Sequence, residues 1–361
     1  MLNWRDMEHP EGGGAEKYLV TVAEGLARRG HKVTFRTADY PGAASREVVR
    51  GVQYVRRGGR LSIYPRALLS QIVRRRADVV VDVQNGVPFL SPLVRRGPVV
   101  NLVHHVHKEQ WPVLFGPRLT RVGWWLESRF APRVYRRSPY VAVSSSTQRE
   151  LVSLGVEDRR ITVIHNGTDA VPLEADARST SPALVVLGRL VPTKRVEMAL
   201  HTVYALQDEV PDLTLEIIGS GASLHELEDL AGTLGIADRV TFHGHVSEHE
   251  KHTLLAKAWV HLMPSLKEGW GLVVVEAGVH GTPTVAFAEA GGPADSIVDG
   301  RTGLLVRGGQ EELTAATRRL LTDRELRHRL SAEVAVWVRQ FRWQETVERW
   351  ESLLTDLAAR Q

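Results

Sequence analysis

Residues 268–276 read Glu-Gly-Trp-Gly-Leu-Val-Val-Val-Glu, which places two carboxylates eight positions apart around a glycine-flanked tryptophan and a short apolar run. Upstream, the apolar stretch from Val260 to Met263 ends in Pro-Ser and predicts a buried strand that leaves its sheet there. Downstream, the stretch from Leu272 to Val279 predicts a helix. A strand, a loop and a helix in this order indicate an α/β unit with a parallel sheet.

The same stretch has the chemistry of a ligand site. Glu268 falls on the predicted loop, and Gly269 to Gly271 fall at the predicted helix N-terminus, where free amides and the helix dipole favour an anion. A carboxylate accepts hydrogen bonds from two adjacent hydroxyls. We therefore expect sugar hydroxyls at Glu268, phosphate at the glycine amides and a ribose diol at Glu276. The alternative is an ordinary strand, loop and helix whose two glutamates face water.

Length and composition indicate a large globular protein. A chain of 361 residues exceeds what one core usually supports, so we expect two domains. The absence of cysteine excludes disulfides, thiol nucleophiles and thiolate metal sites. No apolar run approaches the roughly 20 residues of a membrane span, and residues 1–6 lack a signal-peptide pattern, so a cytoplasmic location is expected.

Charge is distributed unevenly along the chain. Residues 1–170 carry 27 Lys and Arg against 15 Asp and Glu, whereas the remainder carries 19 against 27. This asymmetry suggests that the first half meets an anionic partner, such as a phosphorylated acceptor or a membrane surface. The alternative is a solvated, arginine-rich surface. No helix-turn-helix, zinc or aromatic RNA-binding signature accompanies the charge, so nucleic acid is not an expected partner.

Two α/β series follow one another along the chain. Short apolar runs predict strands at 33–35, 52–55, 79–81, 99–103, 141–143 and 161–164, and again at 184–187, 215–218, 240–242, 260–263 and 284–287. Helical patterns separate many of these runs, which predicts doubly wound parallel sheets. Residues 168–182 are rich in Asp, Pro, Ala, Ser and Thr without periodicity. We therefore predict domains at 1–167 and 183–340, a linker at 168–182 and a C-terminal helix within 341–361 that crosses back to the first domain.

A single dinucleotide-binding oxidoreductase is the competing interpretation of this pattern. Its glycine fingerprint is incomplete at Gly219-Ser220-Gly221, because Leu224 stands where the third glycine belongs. The loop Gly12-Gly13-Gly14 does not complete such a fingerprint either. The sequence therefore disfavours this class.

Short motifs recur through nearly the whole chain in a specific order and spacing. They are Gly13-Gly14-Ala15-Glu16, Gly30-His31-Lys32-Val33, Ser144-Ser145-Ser146, His165-Asn166-Gly167-Thr168-Asp169, Gly188-Arg189-Leu190 with Lys194, Glu268 with Glu276, Gly281-Thr282-Pro283 and Gly291-Gly292-Pro293. On these motifs the chain resembles the retaining family 4 glycosyltransferases, which include bacterial phosphatidylinositol mannosyltransferases and sucrose synthases. The resemblance implies the B-type glycosyltransferase (GT-B) fold, with two Rossmann-like domains facing each other across a cleft that holds the active site.

The resemblance also implies a role for each matching residue. Catalytic roles fall on His104, Arg189, Lys194 and Glu268, and donor binding falls on Gly13, Gly14, Gly269, Trp270, Gly271, Leu272 and Glu276. Arg189 and Lys194 follow an apolar strand, so both can reach a diphosphate at the carboxyl edge of a parallel sheet. Two cations there would neutralise the leaving group without a metal ion. No cofactor is implied beyond the substrate, a UDP- or GDP-sugar.

Histidines invite two further hypotheses. Similar enzymes place a histidine at the end of the 99–103 strand, and alternation puts His104 and His105 on opposite faces, so His104 is favoured and His105 is the fallback. A structural histidine pair is the alternative. The histidines at 243, 245, 249 and 252 could suggest zinc, but their spacing does not match a helical metal motif, so we expect a polar pocket rim.

The sequence departs from the family pattern at two places. The first strand is nearly missing, since only Met1 and Leu2 precede Asn3-Trp4-Arg5-Asp6, so the order of the first sheet at this position is in doubt. Trp270 stands where the family more often has another aromatic, Phe.

The expected reaction is the metal-independent transfer of a hexosyl group to an acceptor hydroxyl with retention of configuration, with domain closure about the linker during turnover. A nucleotide-sugar 2-epimerase of the same fold and a non-catalytic sugar-nucleotide-binding subunit are the alternatives. The acceptor loops, 42–59 and 108–121, carry no decodable motif, which leaves an anionic acceptor, a lipid-linked acceptor and a small-molecule glycoside open. Trp124-Trp125 among arginines suggests peripheral contact with the inner membrane face, although a buried helix face explains the pair equally well.

Overall fold

The computed structural model describes residues 1–73, 77–169 and 178–360. The chain forms two compact units, one of Met1–Gly167 with Arg342–Gln361 and the other of Thr168–Phe341. Most of the predicted linker at 168–182 lies outside the described residues, because 170–177 are not among them. No helix in the described ranges is both long and apolar enough to cross a membrane.

Among the described residues, seven strands build the sheet structure of the first unit. They are β1 (Thr34–Thr37), β2 (Arg46–Val49), β3 (Val52–Arg56), β4 (Val80–Gln84), β5 (Val99–Val103), β6 (Tyr140–Ala142) and β7 (Ile161–Val163). They pair in the orders β1-β3-β2 and β4-β5-β6-β7, and all pairs except β2 with β3 are parallel. The apolar character of β4, β5 and β6 follows from burial on both faces, which a parallel sheet covered by helices requires.

The first residues of the chain join these two sets of strands. The Leu2 amide donates to the Val81 carbonyl at 2.8 Å, and the Leu2 carbonyl accepts from the Val83 amide at 3.0 Å. On the other side, the Arg36 amide donates to the Met1 carbonyl at 3.0 Å. The strand position that the sequence left in doubt is therefore occupied by a short bridge between β1 and β4.

Before the linker, the described residues of the first unit form six α-helices. They are α1 (Gly14–Arg28), α2 (Ile63–Val73), α3 (Trp111–Leu114), α4 (Pro117–Trp125), α5 (Ala131–Val134) and α6 (Ser145–Ser153). A π-helical stretch, Leu126–Phe130, separates α4 from α5. Side chains of α2, α4 and β4 pack into one apolar cluster, so these helices cover the same core.

The strands in the described part of the second unit form one six-stranded parallel sheet. Its strands are β8 (Ala183–Leu187), β9 (Thr214–Ile218), β10 (Val240–Gly244), β11 (Val260–Met263), β12 (Thr284–Phe287) and β13 (Gly303–Val306). Its helices are α7 (Glu197–Leu206), α8 (Leu224–Thr233), α9 (Glu248–Lys257), α10 (Leu272–Val279), α11 (Pro293–Ser296), α12 (Gln310–Thr322) and α13 (Arg324–Trp337). The strands lie side by side in the order β10-β9-β8-β11-β12-β13. All are parallel, but strands are added on one side from β8 to β10 and on the other side from β11 to β13, so the order of addition reverses between β8 and β11. Ligands of doubly wound sheets bind at the carboxyl ends of the strands at this reversal.

The last helix, α14 (Trp343–Ala359), belongs to the first unit and packs on α1. Gly25 permits the approach, since a Cβ there would lie 2.4 Å from a Val347 methyl group. The buried Trp350 indole donates to the Tyr18 hydroxyl at 2.6 Å. The prediction of two Rossmann-like α/β units with a C-terminal helix returning to the first is therefore confirmed.

Candidate active site

The loop after β8 is held against the loop after β9 by glycines. A Cβ on Gly219, whose φ is +131°, would lie 1.9 Å from the Gly188 carbonyl oxygen, so only glycine fits this contact. The Leu190 amide donates to the Ser220 carbonyl at 2.9 Å. These contacts fix the backbone on both sides of Arg189. The incomplete fingerprint at 219–221 is thus a packing element of this edge.

The same loop is clamped to the loop after β11. Arg195, with φ at +50°, donates from Nε to the Pro264 carbonyl at 2.7 Å and from Nη2 to the Ser265 carbonyl at 3.2 Å. The Leu266 amide donates to the Thr193 carbonyl at 2.9 Å. The loops that leave β8 and β11 at the sheet reversal therefore form one substructure. Sequence reasoning missed Arg195, because nothing in the pattern distinguishes it from its neighbour Lys194.

Lys194 and Glu268 meet within this substructure. The Lys194 Nζ lies 2.5 Å from the Glu268 Oε1, and the two side chains are 25% and 13% exposed. The Glu268 amide donates to the Ala290 carbonyl at 2.8 Å, and its carbonyl accepts from the Gly292 amide at 3.1 Å. Two residues that the sequence assigned to separate motifs thus meet on a fixed backbone, with part of each side chain open to solvent.

The glycines around Trp270 shape the start of α10. Gly271 lies in the left-handed region, with φ at +85°, immediately before Leu272 begins the helix. A Cβ on Gly292 would lie 2.5 Å from the Trp270 amide nitrogen, so the 291–292 turn packs directly against this backbone. The Trp270 side chain is buried and packs edge to face on Phe341 at 5.0 Å. What this residue can offer a ligand is therefore its backbone at the helix N-terminus.

Glu276 lies in the second turn of α10 and forms a buried ion pair. Its Oε1 accepts from the Lys251 Nζ at 2.9 Å, and the two side chains are 7% and 10% exposed. Lys251 also contacts the exposed Glu248 at 2.8 Å. Sequence reasoning missed Lys251, which reads as one more polar residue between the predicted strands 240–242 and 260–263. The only feature that marks Lys251 is its position on the side of α9 that faces the strands.

The histidine side chains of residues 243–252 do not meet at one site. His243 pairs with Glu216 at 2.5 Å, whereas the His252 Nδ1 lies 2.8 Å from the His280 Nε2. Burial lowers the pKa of His280 to about 4. Within the described ranges, no group of three or more His, Asp and Glu side chains is arranged to hold a metal ion.

In the first unit, His104 and His105 follow β5 in different surroundings. His104 is buried, its ring meets Tyr18 edge to face at 5.5 Å, and its Nε2 has no hydrogen-bond partner among the described residues. Burial lowers the pKa of His104 to about 3, with a smaller contribution from the Arg5 charge, so the imidazole is neutral at pH 7. The His105 Nε2 instead lies 3.1 Å from the Gln110 side chain.

Gly13 and Gly14 open α1 above a buried charge pair. The Gly13 amide donates to the Glu16 Oε2 at 3.0 Å, and the Glu16 Oε1 lies 2.9 Å from the Arg5 Nε. Glu16 is fully buried, so its charge is balanced by Arg5 and by hydrogen bonds. In this structure the Gly13 amide is thus engaged by its own helix.

Comparison with known proteins adds family and fold relationships. The model of "Glycosyltransferase Family 4" matches residues 12–171, and the model of "Glycosyl transferases group 1" matches residues 173–337. The chain is 28% identical to the GDP-mannose-dependent alpha-(1-6)-phosphatidylinositol monomannoside mannosyltransferase of Mycolicibacterium smegmatis, over 87% of each protein.

Two solved structures cover almost the whole chain. Sucrose-phosphate synthase from Thermosynechococcus elongatus superposes with a TM-score of 0.84 at 22% identity, covering 99% of this chain and 96% of that one. HepE of Anabaena, solved with UDP and glucose, superposes with a TM-score of 0.75 at 19% identity, covering 98% of both chains. At these identities the likeness establishes the fold, which is the GT-B fold that the motifs implied.

Proposed function

We propose that this chain, which belongs to the family 4 glycosyltransferases and therefore uses a nucleotide-sugar donor, moves a hexosyl group from a UDP- or GDP-sugar to an acceptor hydroxyl. The transfer retains the configuration of the sugar and needs no metal ion. The observation that carries this proposal is the Lys194 and Glu268 pair beside the N-terminus of α10, at the reversal of the second sheet.

The leaving diphosphate is neutralised by protein cations in this proposal. An ammonium group has three donors, so Lys194 can keep its contact with Glu268 while donating to a phosphate oxygen. Arg189 supplies a second, permanent positive charge from the same loop. The backbone amides at 269–272 and the dipole of α10 add partial positive charge where the departing oxygen develops negative charge.

The two glutamates hold the donor in register with these cations. Glu268 accepts hydrogen bonds from the sugar, and Glu276 accepts them from the ribose diol. The Lys251 ion pair holds the Glu276 carboxylate in place, which reduces the reorganisation needed when the nucleoside binds. Lys251 is thus a positioning residue for the ribose site. Its burial beside Glu276 supports the assignment of Glu276 to the ribose diol.

Retention follows when the departing diphosphate itself takes the acceptor proton on the front face of the sugar. No enzymic base is then required. The low pKa of His104, about 3, supports this route, because such an imidazole is a weak base at neutral pH and remains a neutral hydrogen-bonding group for a sugar hydroxyl. We assign His104 to the donor sugar and Gly13 and Gly14 to the approach of the backbone toward the phosphates.

For the acceptor we propose an anionic molecule. The excess of arginine and lysine in residues 1–170 supports this class, since the 12 additional positive charges attract phosphorylated partners. The Mycolicibacterium relative, whose name specifies a phosphatidylinositol monomannoside as acceptor, agrees with it.

One reaction series tests the proposal. The enzyme is incubated with UDP- and GDP-hexoses and an inositol phosphate or mannosylated inositol phosphate acceptor, and the anomeric proton of the product is followed by NMR. We expect the donor configuration in the product and an unchanged rate in excess EDTA. An inverted product would overturn retention, and activity lost in EDTA and restored by Mg²⁺ would overturn metal independence.

A further inference from the structure

The sheet structure of the first unit has a reversal of its own. The short segment at Leu2 forms parallel bridges to Arg36 on one side and to Asp82 on the other, so it lies between β1 and β4. Later strands are added beside β1 on one side and beside β4 on the other. Ligands of such sheets bind at the carboxyl ends of the strands that flank a reversal. The residues directly after Leu2 and after β4 are therefore placed to contact a substrate.

Asn85 occupies this position after β4. In the parallel pair of β4 and β5, Gln84 is opposite Val103. The next residues of the two strands, Asn85 and His104, are therefore neighbours at this edge of the sheet. Asn85 is half-buried, and no motif in the sequence gives it a role. Because His104 is the residue assigned above to the donor sugar, Asn85 adjoins the proposed site.

Hydrogen bonds fix the orientation of the Asn85 amide. The Asn3 Nδ2 donates to the Arg5 carbonyl at 2.8 Å and to the Glu16 Oε1 at 3.2 Å. Both hydrogens of this amide are then in use, so Asn3 can offer Asn85 only its oxygen. The Asn85 Nδ2 donates to that Asn3 Oδ1 at 2.7 Å. The Asn85 nitrogen is therefore directed into the network, and its oxygen is left as an acceptor for another group.

Arg5 holds the other end of this network. Its Nε lies 2.9 Å from the Glu16 Oε1, and the two side chains are 11% and 0% exposed. Its guanidinium carbon lies 4.6 Å from the centre of the Trp4 ring, which fixes the guanidinium from a second side. A buried carboxylate stays charged only when a cation and hydrogen bonds compensate it. Arg5 thus keeps Glu16 ionised, and Glu16 can accept from both Asn3 and the Gly13 amide.

The charge of Arg5 also reaches His104. Burial is the main cause of the low pKa of His104, about 3, and the positive charge of Arg5 lowers it further. The imidazole at one strand end is therefore neutral, and the amide oxygen of Asn85 belongs to the next strand end. A neutral imidazole and an amide oxygen both form hydrogen bonds with the hydroxyl groups of a sugar or a polyol.

We propose that the Asn85 Oδ1 accepts a hydrogen bond from a substrate hydroxyl, and that Arg5 is the positioning residue of Asn85. Arg5 acts through Glu16 and Asn3, whose hydrogen bonds orient the Asn85 amide. The hydroxyl is that of a sugar or a polyol, and it belongs to the donor or to the acceptor. This inference deepens the proposed function and rests on it, because it assigns a further substrate contact at the same site.

Steady-state kinetics of the full chain with UDP- or GDP-hexose and an inositol phosphate acceptor test both roles. Asn85→Ala should lower kcat/KM about 3- to 10-fold, which corresponds to the loss of one neutral hydrogen bond. Arg5→Met should lower it about 100-fold, because the groups at this edge lose their fixed positions. In the Arg5→Met background, Asn85→Ala should then cost less than about twofold, since the amide is no longer held. A rise confined to the donor KM in Asn85→Ala assigns the hydroxyl to the donor sugar, and a rise confined to the acceptor KM assigns it to the acceptor.

A double variant separates positioning from stability. Adding Glu16→Gln to Arg5→Met removes the buried negative charge, so the Tm should rise above that of Arg5→Met alone. The value of kcat/KM should nevertheless stay low. Glutamine has one acceptor oxygen in place of the two that Asn3 and Gly13 use, so the network is not rebuilt.

The matched control is Arg160, which directly precedes β7 at the opposite, amino edge of the sheet and donates to the Tyr135 and Ser138 carbonyls. Arg160→Met should lower the Tm and leave kcat/KM unchanged.

Three results overturn the inference while the wild-type enzyme transfers sugar. They are wild-type kinetics in Asn85→Ala, fully additive losses in the Arg5→Met and Asn85→Ala double variant, and wild-type kcat/KM regained together with the Tm when Glu16→Gln is added to Arg5→Met. A wild-type enzyme that transfers no sugar from any of these donors overturns the proposed function itself.

Discussion

Replacing Lys251 with methionine tests the buried ion pair behind the ribose site. The Lys251 and Glu276 side chains are only 10% and 7% exposed, and their charged atoms lie 2.9 Å apart. Methionine keeps most of the volume but leaves the Glu276 carboxylate buried without this cation. Breaking a buried pair from one side costs about 3 to 5 kcal/mol, and the residual exposure of Lys251 favours the lower end, about 3 kcal/mol.

The expected loss appears as a lower melting temperature. For a unit of this size, 1 kcal/mol corresponds to about 2 to 4 °C, so Lys251→Met should lower the Tm of the second unit by about 6 to 12 °C. Calorimetry and urea unfolding measure this change. The matched control is Glu248→Gln, which removes the other partner of Lys251; that side chain is 71% exposed, so the loss should stay below about 1 kcal/mol.

A second variant connects the stability to binding. Adding Glu276→Gln to Lys251→Met removes the buried negative charge that has lost this cation, so the double variant should be more stable than Lys251→Met alone. The affinity for UDP or GDP should fall in both variants, and the 2′-deoxy analogues should lose less. If Lys251→Met melts within 2 °C of the Glu248→Gln control, the account of a buried and mutually dependent pair is refuted.

Three further predictions concern other parts of the site. Lys194→Ala should reduce kcat about 100- to 1000-fold while the circular dichroism spectrum is unchanged, because a charge contact to the leaving group is lost; wild-type turnover would remove Lys194 from the mechanism. Gly292→Ala should cost about 1 to 3 kcal/mol in urea unfolding, because its Cβ would meet the Gly269–Trp270 backbone at 2.5 Å, whereas Gly232→Ala, with open space around it, should not destabilise α8. The pKa of His104 is about 3 in the folded protein and about 6.5 when unfolded, so the unfolded state binds more protons between these values and stability falls as the pH drops below about 6.5. The Tm difference between pH 7.5 and pH 5 should therefore shrink in His104→Asn, and an equal difference in both proteins would contradict this cause.

Long periodic segments were the most predictable parts of the fold. The helix at Leu272–Val279 has the predicted bounds, and α14 lies within the predicted range 341–361, because apolar periodicity and flanking residues define these helices. The strands β2 and β13 were not predicted. β2 is exposed and pairs antiparallel at an edge, and β13 is a short edge strand that begins with glycine, so both carry weaker strand signals than the central strands. The π-helical break at 126–130 also left no signal, since it depends on how Glu127 is satisfied inside the fold.

For the site, motif order predicted which loops meet, and topology explains why. Lys194 and Glu268 are 74 positions apart, yet both follow strands at the reversal of one parallel sheet, so their proximity could be expected. The partners Arg195 and Lys251 could not be found in this way. Their roles come from backbone carbonyls and a buried carboxylate that only the packed structure brings to them. Trp125 was ambiguous for the same reason, because exposure is a tertiary property.

The most direct test of the nucleotide-sugar site is a thermal-shift panel of UDP, GDP and their hexose derivatives with the wild-type enzyme and Glu276→Gln. A ligand that binds only the folded state at 100 times its Kd adds about 2.7 kcal/mol, which predicts a Tm increase of several degrees for one nucleotide family and a smaller one in the variant. If no nucleoside diphosphate or nucleotide sugar raises the Tm of the wild-type enzyme, the assignment of this edge of the second sheet as the donor site is contradicted.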